Sequence, residues 1–562
     1  GPITFNKDGK RVALGRDGCF CLAFSMTDIS SLALDLGLKP EHLSFYGRDK
    51  AKVALAALDG RAVRGRIVLV SAITPTPAGE GKTTVSIGLA QGLKQIGRSV
   101  ALALRQPSMG PVFGRKGSAT GGGRSSLTPA ASINLQFTGD FHAITAAHNL
   151  LAAAIDNRLH FKSTRLAPEG VWWKRALDSN DRALRSITIS RGAANERASG
   201  FDITAASEVM AILCLSSSRA DLRARLERIV VGFTAAGEPV LAKEFNVTGA
   251  MLAILRDAIE PNLVQSVEGV PAFVHGGPFA NIAHGCNSVL ATRLALTCAD
   301  FVVTEAGFAF DLGGEKFIDL KCRQSGLAPS VIVLVATVRA LKMHGGVPLT
   351  ELTAPNVAAV GRGLENLAAH LASAGQFGRP VVVAINQFKS DTAEELAAVH
   401  AFCAGQGVRC ATADVFGGGG AGATALAETV AAALPAELPA LPFLYRDEQS
   451  VAEKIHAIAT RMYGADGVVF TPAAEQKLAL FTAAGFGHLP ICMAKTQDSL
   501  SDDPKKQGRP RGFTITVRDF EIANGAGFLV ALTGQMLRMP ALPRIPAAER
   551  IDVAEDGTIT GL

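Results

Sequence analysis

The stretch SAITPTPAGEGKTT, residues 71–84, combines the residue types that bind a phosphate group at the start of a helix. Gly79 and Gly81 allow consecutive backbone N–H groups to turn toward one anion, and Lys82 adds a point cation. Thr83 supplies a hydroxyl of the kind that ligates magnesium next to a nucleotide phosphate. A strand-like run precedes the stretch and a helix-like run follows it, which is the context that such a loop requires.

The loop departs from the usual phosphate-binding formula at one position. The formula has glycine six residues before the lysine, and this chain has Thr76 there, between Pro75 and Pro77. We expect the two proline rings to fix the bend that glycine normally permits. The alternative is a plain turn between a strand and a helix, but the context favours nucleotide binding. The predicted ATP-binding residues are Thr76, Pro77, Ala78, Gly79, Glu80, Gly81, Lys82 and Thr83, with Thr83 also holding magnesium through ATP.

Two further charged residues follow elements that could bring them to this loop. Arg105 comes directly after a strand-like run that ends at Leu104, and ligands of open α/β sheets bind beyond the carboxyl ends of strands. A guanidinium there can bind a carboxylate or an acyl phosphate bidentately, unless it is a surface arginine in a turn. Asp140 lies near a helix start, where it could be an N-cap, hold magnesium or orient a substrate amine. We predict Lys82, Arg105 and Asp140 as the catalytic residues.

Aromatic residues are sparse, at 6% of the chain, yet several follow strand-like runs. Phe308 and Phe310 lie in a glycine-rich stretch that we expect to be a loop, and Phe388 and Phe416 follow two later strands. Each of these residues alone would be a core residue. Together they predict a flat ligand that is held by ring stacking.

The remaining pattern alternates strand-like and helix-like runs. Continuous apolar runs such as RIVLVSAI and SVIVLVAT are typical of strands covered on both faces, and Ala/Leu-rich helices separate them. We therefore predict a large doubly wound parallel sheet of the phosphate-loop type with two smaller α/β lobes. The predicted domains are an N-terminal appendage at 1–24 with a small hairpin, an ATP-binding domain at 25–365, a second α/β domain at 366–460 that contributes to the pocket of the flat ligand, and a C-terminal lobe at 461–562.

Composition limits the classes of partner. The net charge of +6 comes from 56 basic and 50 acidic residues spread along the chain, which suits small anionic substrates and argues against nucleic acid. Nine cysteines lie mostly in apolar runs, as core residues of a reducing compartment do, and their spacing indicates no zinc site. No apolar run is as long as a membrane span and no signal-peptide pattern is present. We expect a cytoplasmic protein without a membrane partner.

Taken together, a series of long motifs resembles formate–tetrahydrofolate ligase, also called 10-formyltetrahydrofolate synthetase. The resemblance runs in order from about residue 28 to residue 562. Its motifs are ITPTPAGEGKTT, RQPSMGPVFGRKG, NLQFTGDFHAITAAHNLLAAAIDN, PNLVQSVEGVPAFVHGGPFANIAHGCNS, TEAGFAFDLGGEKF, MAKTQDSLSDDP, GAGFLVALTG and RMPALPRIPAAERID.

The resemblance implies that Mg-ATP, formate and tetrahydrofolate give 10-formyltetrahydrofolate, ADP and phosphate through formyl phosphate. Lys82 and magnesium would neutralise the transferring phosphoryl group, and Arg105 resembles the arginine that binds formate and formyl phosphate. Asp140 resembles the aspartate near the reacting nitrogen, while Phe388 and Phe416 resemble the aromatic pair that sandwiches the pterin. The resemblance also implies a homo-oligomer, a tetramer or a dimer, and leaves a monovalent cation open as a further cofactor.

The departures from the family pattern gather on the acceptor side. Phe416 replaces a tryptophan, and Ala309 and Phe310 add bulk to the usual GFGAD motif. Other changed positions are Arg124, Gln136 and Gln535. Two alternatives follow: an enzyme that activates a carboxylate for another acceptor, or a non-catalytic nucleotide- or folate-binding regulator. The presence of Lys82, Thr83, Arg105 and Asp140 together argues against the regulator.

Overall fold

A sheet of twelve strands forms the centre of the computed structural model, which describes residues 4–5, 11–12, 28–116, 118–534 and 536–562. The α-helices of the described residues are α1 Ile29–Asp35, α2 Lys82–Gln95, α3 Met109–Pro111, α4 Ala130–Asn134, α5 Asp140–His160, α6 Glu208–Leu215, α7 Arg219–Glu227, α8 Thr248–Ile254, α9 Val289–Cys298, α10 Arg323–Ser325, α11 Val338–His344, α12 Val357–Gly375, α13 Ala393–Gly405, α14 Val415–Gly418, α15 Thr424–Ala433, α16 Val451–Ile458 and α17 Pro472–Ala483.

The strands of the described residues are β1 Thr4–Phe5, β2 Arg11–Val12, β3 Leu43–Phe45, β4 Ala51–Val53, β5 Arg66–Ala72, β6 Val100–Leu104, β7 Gly121–Gly122, β8 Ser125–Thr128, β9 Arg175–Leu177, β10 Ile187–Ile189, β11 Arg197–Ser199, β12 Phe201–Ile203, β13 Val230–Phe233, β14 Pro239–Leu241, β15 Asn262–Ser266, β16 Pro271–Val274, β17 Phe301–Glu305, β18 Pro329–Ala336, β19 Val381–Asn386, β20 Arg409–Ala413, β21 Gly467–Phe470, β22 Ile491–Ala494, β23 Thr514–Val517, β24 Asp519–Ala523, β25 Phe528–Leu532, β26 Asp552–Val553 and β27 Ile559–Thr560.

Seven neighbouring strands of the central sheet are parallel, in the order β20-β19-β18-β5-β17-β6-β16. Successive residues of β5 point to opposite faces of the sheet, so Ile67 and Leu69 enter one core and Val68 and Val70 enter another. All four are buried, which explains why the strand is a continuous apolar run rather than an alternating one. The predicted mixed α/β fold with a large, mostly parallel sheet is confirmed.

The other side of the sheet is antiparallel, which the sequence did not predict. β15 pairs antiparallel with β16, and β4, β3 and β8 extend this side, with β7 joined to β8. These strands are two to five residues long and carry polar residues such as Lys52 and Asn262. Their sequence pattern is therefore weaker than that of the buried parallel strands.

The C-terminal region forms three small sheets among the described residues, one of them by the pairing of β26 with β27. β22, β25 and β24 make a three-stranded sheet, and β21 pairs with β23. Arg538 joins this region to the segment around β12: its guanidinium donates to Asp202 at 2.7 Å, to Glu521, and to the carbonyl of Ala206 at 2.5 Å.

The domain limits remain a prediction. Two features of the structure concern the predicted domains. β19 and β20, which fall in the predicted domain at 366–460, continue the same sheet as β5. In the N-terminal appendage, β1 and β2 pair antiparallel, and the other residues of 1–24 lie outside the described part of the chain. Among the described residues, no helix is both long and apolar enough to span a bilayer.

One predicted loop is wrong. The stretch after β17 was expected to be a glycine-rich loop, and it forms helical turns of the π type over Phe310–Gly314 and Phe317–Cys322. Several of its charged residues are buried and paired with protein groups, for example Lys316 with the carbonyl of Ala280 at 2.6 Å and Asp311 with Lys495 at 3.1 Å. This internal pairing allows a polar, glycine-containing stretch to pack as a helix.

Candidate active site

The candidate site lies at the carboxyl edge of the parallel strands. The loop from Thr76 to Gly81 follows β5, Glu305 ends β17, and Arg105 follows β6. These three strands are neighbours in the order β5-β17-β6, so the three loops leave the same edge side by side. Neighbouring strands lie about 4.8 Å apart, which places β5 and β6 about 10 Å from each other.

The loop after β5 has the backbone shape of a phosphate cradle. Gly79 and Gly81 have φ angles of 80° and 70°, which only glycine adopts readily. α2 begins at Lys82, so its first N–H groups face the loop, and the side chain of Lys82 is half-buried. A Cβ atom on Gly81 would lie 2.6 Å from the amide nitrogen of Asn386, so a side chain is excluded at this position on steric grounds as well.

A buried carboxylate holds this loop in place. Glu80 is 1% exposed and accepts hydrogen bonds from the backbone N–H of Thr76 at 2.7 Å and from the hydroxyl of Thr337. The amide of Asn386 donates to the carbonyl of Glu80 at 3.1 Å. Thr76 does not have a positive φ, so threonine is tolerated where the usual formula has glycine. The side chain of Glu80 therefore faces the protein, and Pro77, Ala78 and Gly79 form the exposed tip of the loop.

Thr83 and Glu305 form a pair that could hold a metal ion. The Thr83 hydroxyl donates to the two carboxylate oxygens of Glu305 at 2.9 and 3.2 Å, and Glu305 is 5% exposed. A hydroxyl and one carboxylate beside a phosphate site are a donor set that magnesium uses, with water and phosphate completing its shell. Sequence reasoning missed Glu305. The signal in the sequence was an acidic residue at the last position of a buried strand.

Arg105 lies in a tight crevice at the same edge. Its Nη1 donates to the carbonyl of Pro278 at 3.2 Å, and a Cβ atom on Gly307 would lie 3.1 Å from the same nitrogen. Its Nε is buried and has no hydrogen-bond partner among the described residues. A buried N–H of a guanidinium without a partner is costly, and an anionic ligand would satisfy it.

Asp140 is the first residue of α5, but it does not cap the helix. The residue before it, Gly139, occupies the cap position with a φ of 86°. The Asp140 carboxylate is 2% exposed and forms an ion pair with Lys52 at 2.7 Å, and its second oxygen accepts from the amide of Asn262 at 2.7 Å. Asn262 pairs with Val274 at the end of β16, so Asp140 is held near the edge that carries Arg105.

Removal of Lys52 is expected to destabilise the protein. Lys52→Met leaves the Asp140 carboxylate buried without its cation, and we expect a loss of about 3–5 kcal/mol in the free energy of unfolding. Urea denaturation followed by circular dichroism measures this loss. The double variant Lys52→Met/Asp140→Leu removes both charges and should recover most of the stability. An unchanged midpoint for Lys52→Met would show that the pair does not contribute to folding.

The structure brings together only some of the predicted aromatic residues. Phe388 and Phe416 follow the neighbouring strands β19 and β20 at the carboxyl edge. Phe388 lies under Arg339, whose guanidinium carbon is 4.1 Å from the ring centroid. Phe416 is 63% exposed and packs on Gly122, where a Cβ atom would lie 3.0 Å from the ring.

Phe308 and Phe310 occupy very different environments. Phe308 is half-buried and has a φ of 57°, a strained value for a non-glycine residue that is often found at functional sites. Phe310 is fully buried in the hydrophobic core, with its ring centroid 6.0 Å from that of Phe377. A ligand could reach Phe310 only if this part of the core opened.

The altered acceptor-side positions are also spread over different environments. Arg124 is about half exposed and lies 3.7 Å from Glu268, and its backbone N–H donates to the carbonyl of Phe416 at 2.9 Å. Gln136 is exposed and Ala309 is buried. Gln535 lies outside the described part of the chain.

A family comparison agrees with this arrangement of loops. The family model of formate–tetrahydrofolate ligase matches residues 17–562, which is nearly the whole chain. The match covers the phosphate loop, the Arg105 crevice, the aromatic strand ends and the C-terminal sheets in one alignment. The chain belongs to the formate–tetrahydrofolate ligase family, whose members join formate to tetrahydrofolate with ATP and form a carbon–nitrogen bond.

Proposed function

We propose that this chain ligates formate to tetrahydrofolate through formyl phosphate, with the chemistry centred between Lys82 and Arg105. A formate oxygen attacks the γ-phosphorus of ATP, the bond to ADP breaks, and formyl phosphate forms. The N10 nitrogen of tetrahydrofolate then attacks the formyl carbon, phosphate leaves, and the nitrogen loses its proton. One observation carries this proposal. Lys82, which begins the helix after β5, and Arg105, which follows β6, lie at the same edge of the sheet, and only β17 separates β5 from β6.

The loop of residues 76–83 binds the nucleotide in this proposal. The exposed backbone at Pro77, Ala78 and Gly79 faces the phosphates, and the N-terminus of α2 adds its partial positive charge. Lys82 stabilises the negative charge of the transferring phosphoryl group. Most of the rate then comes from positioning and from charge stabilisation, as in other phosphoryl transfers.

The residues present fit a magnesium ion beside this loop. Thr83 and Glu305 would hold it, since their oxygens already lie within hydrogen-bond distance of each other. When bound, magnesium neutralises charge on the phosphate oxygens. Glu305 orients the Thr83 hydroxyl, and it lies at the strand end between the nucleotide loop and Arg105.

Arg105 binds formate and then formyl phosphate. Its unpartnered Nε and its Nη groups form a fork that matches the two oxygens of a carboxylate. Gly307 is required beside it because a larger residue would contact the guanidinium. The fork holds the attacking oxygen in line with the γ-phosphate.

Asp140 orients the reacting nitrogen of the folate. One carboxylate oxygen accepts from Asn262 and the other forms the ion pair with Lys52, and each oxygen has two lone pairs and can accept a further N–H. The paired Lys52 holds the carboxylate in position. Phe388 and Phe416 stack on the two faces of the pterin, Phe308 lines the loop next to Arg105, and the buried Phe310 supports that loop from the core.

Isotope transfer tests the intermediate. With ¹⁸O-labelled formate, ATP and tetrahydrofolate, one ¹⁸O atom is expected in the inorganic phosphate, because a formate oxygen becomes the bridge of formyl phosphate. Mass spectrometry of the released phosphate measures it. Unlabelled phosphate would contradict this route. ADP release with formate but only with another amine as acceptor would favour the alternative of a different acceptor, which the altered positions Arg124 and Phe416 keep open.

The assembly and location are proposed on the resemblance alone. The family resemblance supports a homo-oligomer, a tetramer or a dimer, in the cytoplasm. Light scattering coupled to size-exclusion chromatography measures the mass of the assembly against the 58.4 kDa of one chain.

Replacement of Glu305 tests the metal site. Glu305→Gln keeps the size of the side chain but removes its charge, so we expect the magnesium concentration for half-maximal ADP release to rise about 10- to 100-fold. A magnesium titration at saturating ATP measures this shift. Glu238→Gln, an exposed glutamate that pairs with Arg165, serves as the matched control and should leave the titration unchanged. The same magnesium requirement in both variants would exclude Glu305 as a ligand.

A further inference from the structure

A second cavity lies away from the carboxyl edge, between the α5 and α6 helices and the C-terminal sheet. Its volume is about 410 Å³, within the range of about 300–1,000 Å³ that is usual for small-molecule sites. Among the described residues that line it, none belongs to the ATP, formate or folate set proposed above. The residues that line this cavity therefore differ from those proposed to bind the substrates of the ligation reaction.

The cavity has aromatic and aliphatic walls. Trp172, Trp173, Phe520 and Phe528 line it, and Trp173 stacks on the ring of His148 with centroids 4.2 Å apart and an interplanar angle of 22°. Phe520 and Phe528 are almost fully buried, and Trp173 is 8% exposed. Walls of this kind favour a planar aromatic ligand.

Two residues that line this cavity, His148 and Asp202, each have a buried acceptor atom without a hydrogen bond. His148 is 2% exposed, and its Nε2 lies 3.0 Å from the carbonyl of Lys174, so Nε2 carries the proton and Nδ1 is an acceptor. Burial lowers the pKa of His148 to about 4, so the ring is neutral near pH 7. Nδ1 has no partner among the described residues. Asp202 is 6% exposed, and its Oδ1 likewise accepts no hydrogen bond, since the Lys174 ammonium is 3.8 Å away.

The charges of the cavity wall are largely compensated within the protein, and burial raises the pKa of Glu208 to about 7, so this group is partly neutral near pH 7. Arg538 pairs with Asp202 and Glu521, and Glu208 accepts from the backbone N–H of Gly525 at 2.7 Å. Cations and carboxylates line the cavity in equal number: Lys174, Lys477 and Arg538 against Asp202, Glu208 and Glu521. A ligand without net charge therefore fits better than an anion or a cation.

We propose that this cavity binds an uncharged, planar heteroaromatic molecule that donates N–H hydrogen bonds to His148 and Asp202, as an amino-substituted purine does. The ring lies among the tryptophan and phenylalanine side chains, and its N–H groups satisfy the two buried acceptors. The site does not depend on the ligation reaction proposed above, because the two sites share no residue.

The tryptophans supply a direct readout. The chain has two tryptophans, and both line this cavity, so intrinsic tryptophan fluorescence reports directly on a ligand bound here. Adenine is the probe. A saturable change of fluorescence with adenine is expected in the wild-type chain. N6,N6-dimethyladenine lacks the amino donors, so it should bind about tenfold more weakly, since an acceptor then stays buried without a partner. The absence of a saturable change with adenine up to its solubility limit would overturn the proposal.

Three variants test whether the fluorescence change arises in this cavity. His148→Phe keeps the stacked ring and removes the acceptor, and we expect adenine to bind about tenfold more weakly. Ala211→Leu keeps both acceptors and fills part of the cavity, and it should abolish the fluorescence change. His160→Phe, at the last residue of the same helix α5, is the matched control and should bind as the wild type does.

Two results would overturn the proposal. Equal adenine affinity in His148→Phe, Ala211→Leu and the wild type would overturn the proposal, as would displacement of adenine by saturating ADP, because the signal would then arise at the nucleotide loop. Thermal unfolding of each variant shows whether it is folded, and the comparison of the two purines needs no variant. Loss of ligase activity in Lys82→Ala with normal adenine binding would leave this site intact and concern the reaction alone.

Discussion

Replacement of Lys82 by alanine is expected to lower the rate of ADP release with formate and tetrahydrofolate about a thousandfold. Lys82 is the first residue of α2 and the nearest cation to the loop that is proposed to hold the γ-phosphate. Its loss removes charge stabilisation that is needed most in the transition state, so kcat should fall more than the apparent affinity for ATP. Initial rates of ADP release at saturating substrates measure this effect.

Lys39→Ala is the control for this variant. Lys39 lies on the surface, where its ion pair with Glu41 at 3.9 Å is exposed to water and contributes little. Tetrahydrofolate binding, measured by calorimetry, should be the same in both variants, because the aromatic strand ends are not altered. A Lys82→Ala enzyme that releases ADP within threefold of the wild-type rate would refute the role of Lys82.

The second large effect is expected for Arg105→Lys. The substitution keeps the charge but replaces the planar fork with a point cation, so a carboxylate can no longer be bound by two parallel N–H groups. We expect ADP release to fall about a hundredfold and the formate concentration for half-maximal rate to rise. Formate titrations at saturating ATP separate the two effects.

Arg256→Lys is the matched control, because Arg256 is exposed and pairs only with its neighbour Asp257 at 2.8 Å among the described residues. Its kinetics should equal those of the wild type. If Arg105→Lys retains a normal formate titration, formate is bound elsewhere. If only ATP affinity changes, Arg105 contacts the nucleotide rather than the acid.

The parallel half of the sheet could be predicted because its strands are buried on both faces. The predicted runs RIVLVSAI and SVIVLVAT correspond to β5 and β18, whose observed bounds differ from the predicted ones by no more than one residue at either end. The antiparallel side could not be predicted in the same way. Lys52 in β4 is 1% exposed, and nothing in the local sequence shows that Asp140, far along the chain, supplies its partner.

The same limit applies to the site. The loop could be predicted as a phosphate site because its residues are consecutive, but the contacts of its side chains could not be predicted. Glu80 was assigned to ATP, but its carboxylate bonds to Thr337, which lies 257 positions away. Glu305 was missed for the same reason, since its neighbour Thr83 is 222 positions away. Contacts of this kind depend on strand order, which local patterns do not encode.

The prediction of a loop after a strand does not tell whether an aromatic residue in that loop is exposed or buried. Phe388 and Phe416 were grouped with Phe308 and Phe310 because all four follow strands. The helical turns of Phe310–Gly314 bury Phe310 against Phe377, while Phe416 remains 63% exposed. The backbone conformation that follows the strand therefore determines whether such a phenylalanine packs in the core or remains exposed.

The central place of β5 also has a consequence for synthesis on the ribosome. β5 is made early, but its two neighbours in the sheet, β17 and β18, end at Glu305 and Ala336. A nascent chain that stops before β18 therefore has a strand with an open edge and a nucleotide loop without Thr337 to hold it. Ribosome-bound fragments ending near residue 300 should not retain ATP, whereas a separately supplied downstream fragment could restore binding by completing the sheet.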